Sequence, residues 1–109
     1  MKALSEIPSK DLKSITAKGK TMLFFTATWC GDCRFIKPSM PAIDAEYPDL
    51  NFVEVDRDQF MDLAQELGIM GIPSFVAFED GQEVGRFVSA DRKTRAEIEN
   101  FINNLAFTN

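Results

Sequence analysis

The chain is expected to fold as one α/β domain in which a central mixed β-sheet carries helices on both faces. Three observations predict this. Apolar runs of strand length alternate with segments whose apolar residues recur at helical spacing. Asp80-Gly81 separates two short apolar runs late in the chain, the signal of an antiparallel hairpin. The 109 residues, 45% of them hydrophobic, suffice for a single core and no more. A βαβ unit followed by a hairpin and a last helix combines parallel and antiparallel pairing in one sheet.

Along the chain, residues 3–5 are a candidate short strand. Ser9, after Pro8, is placed to cap a short helix carrying Leu12 and Ile15, with Gly19 as its stop. Residues 21–26 form a nearly unbroken apolar run, the pattern of a central strand covered on both faces. From 32 to 47, Ile36, Met40, Ile43 and Tyr47 recur at helical spacing, while Pro38 and Pro41 each remove a backbone donor and bend the helix. Residues 51–56 read as a second interior strand. Asp58 is read as the cap of a helix with Phe60, Leu63, Ala64 and Leu67 on one stripe, closed by Gly68. Strands at 74–78 and 84–88 flank the turn. Thr94 and Glu97 offer a capping box to a last helix with Ile98, Phe101, Ile102 and Leu105 on its inner side. No repeat or linker divides residues 1–109, so they are expected to form a single domain.

Composition removes several functions. The net charge is −5, from 12 Lys and Arg against 17 Asp and Glu. With no basic cluster beyond 91–95, a nucleic-acid partner is not expected. The absence of His excludes Ser-His, Cys-His and histidine–metal chemistry. Residues 1–8 lack the apolar stretch of about 7–15 residues that a secretory signal needs. Other apolar runs fall far short of the ~20 residues that span a bilayer. A cytoplasmic protein without a membrane partner is the expectation, and in that compartment a purely structural disulfide is out of place.

Chemistry concentrates at Trp29-Cys30-Gly31-Asp32-Cys33, where a buried strand gives way to a helix. Cysteines three positions apart stand one helical turn from each other, which permits a reversible disulfide with Cα atoms about 5–6 Å apart. At a helix start the free N–H groups and the dipole favour an anion, hence a thiolate at Cys30. Cys33, one turn in, is shielded. Attack on a disulfide then falls to Cys30 and resolution to Cys33. Three blander readings stand beside this one. Zinc needs about four Cys or His ligands, and the chain has 2 Cys and no His. A structural staple across so short a loop removes little entropy from the unfolded chain. Two inert buried thiols would not need Trp-Cys-Gly before a helix.

Residues 24–33, Phe-Phe-Thr-Ala-Thr-Trp-Cys-Gly-Asp-Cys, followed some forty positions later by Gly71-Ile72-Pro73-Ser74, resemble the thioredoxin family. The likeness covers essentially the whole chain, including 78–81 at the hairpin turn and Val88-Ser89-Ala90 before the last helix. It implies the thioredoxin fold and a cis Ile72–Pro73 peptide beside the cysteine pair. It also implies that the Ile72 backbone pairs with an extended substrate segment. Trp29, Gly31, Ile72, Pro73 and Ala90 would line a shallow apolar substrate groove, which Asp32 would border with its charge. The resemblance further implies protein disulfides as substrates and an NADPH-dependent thioredoxin reductase as electron donor, with no cofactor bound by this chain. A monomer is expected.

The sequence departs from the family in four places. Asp32 stands where the family usually has Pro. A carboxylate there suits the helix start, yet it disfavours the thiolate beside it. Phe24 and Phe52 replace a buried Asp and its Lys partner, so the proton of Cys33 must leave by water, Asp32, Glu54 or no dedicated base. Ser89 replaces a Gly beside the groove and narrows access. This Trp-Cys-Gly-Asp-Cys version resembles the atypical thioredoxins of Gram-positive bacteria. The expected function is thiol–disulfide exchange through Cys30 and Cys33. The alternatives are a binding module that docks partners without turnover and a glutathione-linked, glutaredoxin-like enzyme.

Overall fold

The computed structural model describes residues 1–8 and 10–108. Five strands form one sheet: β1 (Lys2–Ala3), β2 (Lys20–Thr26), β3 (Leu50–Asp56), β4 (Ser74–Glu79) and β5 (Gln82–Phe87), in the order β1-β3-β2-β4-β5. β1 and β2 run parallel to β3, while β4 is antiparallel to both β2 and β5. The expected mixed sheet is therefore present, with β2 central. Its residues 21–26 are all buried, as a strand covered on both faces requires.

Side-chain alternation along β2 divides the core. Leu23 and Phe25 face a cluster with Val53, Val55, Leu63, Ala64 and the two cysteines. Met22 and Phe24 face a second cluster with Ile36, Met40, Ile43, Phe52, Ile98 and Ile102. Short helices α1 (Leu12–Ile15) and α4 (Met61–Glu66) belong to the first side. Helices α2 (Gly31–Ile36), α3 (Met40–Glu46) and α5 (Arg95–Asn103) build the second.

Several boundaries differ from the sequence expectation, each for a local reason. The strand expected at 3–5 is Lys2–Ala3, because the Glu6 carboxylate takes the Ala3 N–H at 3.0 Å and Leu4–Glu6 turns as a 3-10 helix. Ser9 lies outside the described residues. The N-cap of α1 is Asp11, whose side chain accepts the Ser14 N–H at 3.3 Å. The helix expected over 32–47 is two helices parted by a 3-10 turn at Lys37–Ser39, where Pro38 interrupts the donor ladder.

Asp58 is not the cap of α4. Asp56 Oδ1 accepts the N–H groups of Asp58 at 2.9 Å and Gln59 at 3.2 Å, and the helix starts only after Phe60. The hairpin turns at Asp80 and Gly81, with φ of 49° and 86°, the left-handed pair that a two-residue turn demands. Its second strand starts at Gln82, and an irregularity in register follows Ala77. Thr94 and Glu97 form the capping box of α5.

Candidate active site

β2 ends at Thr26, and the chain crosses Ala27–Trp29 to place Cys30 as the N-cap of α2. The Cys30 N–H is bound by the Ala27 carbonyl at 3.2 Å, and the Cys30 carbonyl accepts the Arg34 N–H at 3.1 Å. Cys30 Sγ accepts the Cys33 N–H at 3.2 Å and lies 3.9 Å from the Ile72 carbonyl. Both thiols are free. A helix-start N–H aimed at a sulfur stabilises negative charge on it. Cys30 retains 7% exposure and Cys33 only 1%, so Cys30 is the outer and Cys33 the inner of the two.

The two cysteines open onto different cavities. Cys30 lines a surface groove of about 360 Å³ together with Trp29, Gly31, Asp32, Ile72 and Ala90, all expected from the sequence. Arg57, Met70 and Gly71 complete that lining. Pro73 does not reach it, although the Ile72–Pro73 peptide is cis. Gly71 meets the opposite wall so closely that a Cβ there would lie 2.5 Å from the Ala90 backbone nitrogen. Only glycine fits that contact.

Cys33 instead borders a cavity of about 270 Å³ on its inner side, shared with Thr26, Lys37, Glu54 and Asp56. Burial and the hydrogen bond with Cys30 push the Cys33 thiol up to about 11, against smaller lowering effects from the Thr26 hydroxyl and the Ala27 backbone. Such a thiol is neutral near pH 7 and must be deprotonated before it can attack.

The positions of the missing buried pair are filled by packing. Phe24 is fully buried and stacks on Phe75 with ring centroids 5.0 Å apart; Phe52 joins the same cluster. Glu54 is the one carboxylate weighed for Cys33 that borders the inner cavity. Its carboxylate is held 2.8 Å from Lys37 Nζ. Asp32 points elsewhere, pairing with Arg92 Nε at 2.8 Å.

Sequence reasoning missed several of these partners. Trp29 Nε1 donates to Asp58 Oδ2 at 2.6 Å, and the Arg57 guanidinium lies 5.1 Å from the Trp29 ring centroid, so the indole is fixed although 57% exposed. Arg92 also covers Phe35 at 4.1 Å. Arg57, Asp58 and Arg92 carry no local signal beyond charge. Asp58 alone has a position, two residues beyond the strand end, that suggests a role, and that role is a helix cap.

A dithiol set between a helix start and a groove, on a mixed sheet flanked by helices, defines a thiol–disulfide oxidoreductase. The comparisons agree: the Thioredoxin family model matches residues 7–104, and the chain belongs to the thioredoxin family. It is 36% identical over 104 residues to thioredoxin of Callithrix jacchus, covering 91% of this chain and 99% of that protein. It is 37% identical over 84 residues to a mitochondrial thioredoxin of Schizosaccharomyces pombe, covering 77% of this chain but 63% of that longer protein. Among solved structures, thioredoxin of Malassezia sympodialis superposes with a TM-score of 0.77 at 32% identity, over 94% of this chain and 89% of that one. These findings favour neither the docking module nor the glutathione-linked enzyme. Among the described residues no helix is long and apolar enough to cross a membrane.

Proposed function

We propose that the protein reduces protein disulfides by dithiol exchange through Cys30 and Cys33. The observation that carries this reading is the placement of Cys30 Sγ under the Cys33 N–H and at the edge of a groove, with Cys33 one turn deeper. Cys30 thiolate attacks one sulfur of a substrate disulfide. A Cys30–substrate disulfide forms and the other substrate sulfur leaves as a thiolate that takes a proton. Cys33, deprotonated, then attacks Cys30 Sγ; the Cys30–Cys33 disulfide forms and the second substrate thiolate is released and protonated. Two electrons pass from the dithiol to the substrate.

Trp29, Gly31, Asp32, Ile72 and Ala90 are the proposed walls for the substrate segment, which pairs with the Ile72 backbone by strand addition. Pro73 shapes that segment from behind the lining. Asp32 brings charge to the rim, where Arg92 partly offsets it; both side chains are exposed, so the pair contributes about 1 kcal/mol or less. An NADPH-dependent thioredoxin reductase returns the dithiol, and the protein works as a monomer in the cytoplasm. Insulin reduction with that reductase and NADPH tests the reading: turnover is expected, and a rate no higher than that of the double Cys→Ser variant overturns it.

The inner cavity supports a route for the Cys33 proton, through water to Glu54. Glu54→Gln is expected to slow the resolving step about a hundredfold near pH 7, the low end for loss of a general base. The rate of first attack by Cys30 should stay the same. Rapid-quench measurement of the mixed disulfide separates the two steps; equal resolving rates in both proteins would remove Glu54 from the route.

A further inference from the structure

Lys93 sits in the charged run 91–95, where a solvated side chain is the ordinary outcome, yet it is only 1% exposed. Its Nζ donates to the Asp91 carbonyl at 2.9 Å, the Ser89 hydroxyl at 3.0 Å and the Ser89 carbonyl at 3.2 Å. An ammonium carries three N–H bonds, so all of them are spent on this single loop. The Phe87 ring closes one side, 5.1 Å from Nζ. No carboxylate stands within ion-pairing distance of it among the described residues.

The loop that Lys93 gathers is one wall of the groove, because Ala90 lines it opposite Gly71. Ser74 ties the same loop to the other wall: its Oγ donates to the Gly71 carbonyl at 2.6 Å and accepts the Ser89 N–H at 3.2 Å. Ser89, the residue found where the family usually has glycine, therefore contacts Lys93 through both its hydroxyl and its carbonyl. A glycine would supply only the carbonyl.

We propose that Lys93 is a positioning residue for the substrate groove, drawing Ser89 and Asp91 inward so that Ala90 stays seated against Gly71. This rests on the disulfide-exchange reading. Without the ammonium the Asp91 carbonyl loses its donor, the Ser89 hydroxyl keeps only the Asp91 N–H at 3.3 Å and the Ser89 carbonyl only the Ser74 hydroxyl at 3.3 Å, and the loop relaxes towards water to satisfy them. A protein substrate needs both walls, whereas a small disulfide needs only access to Cys30.

The test uses the full chain in a Cys33→Ser background and follows the single attack of Cys30 on insulin and on bis(hydroxyethyl) disulfide. Lys93→Met, similar in length but without donors, is expected to slow the insulin reaction about tenfold more than the small-disulfide reaction. Lys93→Arg, which keeps donors and charge, should recover most of the loss. Equal slowing of the two substrates, or none, overturns the proposal. If Lys93→Met does not fold, Ser89→Ala removes one acceptor alone. It should slow insulin selectively by a few-fold, and an unchanged ratio overturns the proposal equally. A protein with Lys93 intact that attacked neither disulfide would instead sink the exchange reading.

Discussion

Replacing Cys33 with Ser is expected, under the proposed exchange, to turn the protein into a trap for its substrate. Cys30 keeps its place at the N-cap of α2 with the N–H of residue 33 still aimed at its sulfur, since that bond is made by backbone. Attack on a substrate disulfide therefore proceeds. The resolving sulfur is gone, and serine oxygen does not displace a thiolate from a disulfide, so a covalent Cys30–substrate species accumulates to one equivalent. Cys30→Ser should give no such species and no turnover, because Cys33 is 1% exposed and its thiol, pushed up to about 11, is neutral at working pH. The difference between the two variants should be at least about a thousandfold in trapped product, readable by mass spectrometry after a fixed incubation. Equal trapping by both would reverse the assigned roles.

Phe24→Asp, which restores the carboxylate that the family usually buries, is expected to unfold much of the protein rather than improve it. Phe24 is fully buried, stacks on Phe75 and packs with Phe52, Ile36 and Met40. Losing that ring costs about 3–5 kcal/mol by comparison with large-to-small core replacements, and a carboxylate in its place adds a desolvation cost. The total is a large part of the roughly 5–15 kcal/mol that holds a domain of this size. Its direction with pH also follows. An unpaired buried carboxyl titrates above the unfolded value of about 3.9, so the unfolded chain ionises first and the variant loses stability as pH rises from there. Urea unfolding at two pH values checks this. A variant as stable as the parent would mean that the cluster around Phe24 tolerates a charge.

The reduced form has a related dependence through Cys33. Its folded titration lies above that of an ordinary thiol, so reduced protein should lose stability as pH climbs from the ordinary thiol range to about 11, while the disulfide form has no such group to titrate. Comparing melting temperatures of the two forms across that range would show the reduced curve falling further than the oxidised one.

Phe24 and Phe52 show how far pattern carries. Their apolar character within strands made both readable as interior, and the structure adds only the stacking of Phe24 on Phe75. The same holds for the cysteines, the turn at Asp80-Gly81 and the capping box at Thr94, where the chemistry is complete within four or five consecutive residues. Asp58 shows the limit. Beside a strand end its carboxylate resembles a helix cap, but Asp56 already holds the turn, leaving Asp58 to meet Trp29 from 29 positions away.

By itself the sequence determined the α/β order of elements, the central strand and the Cys30/Cys33 pair, because hydrophobic period, turn residues and one helical turn of spacing are local properties of the chain. Tertiary structure alone decided that Arg92 meets Asp32 across 60 positions, that Cys33 borders a cavity with Glu54, and that Lys93 turns inward from a charged run. Each of these depends on which loop packs against which strand, a matter settled by burial and hydrogen-bond satisfaction between distant segments and carried by no short stretch of residues.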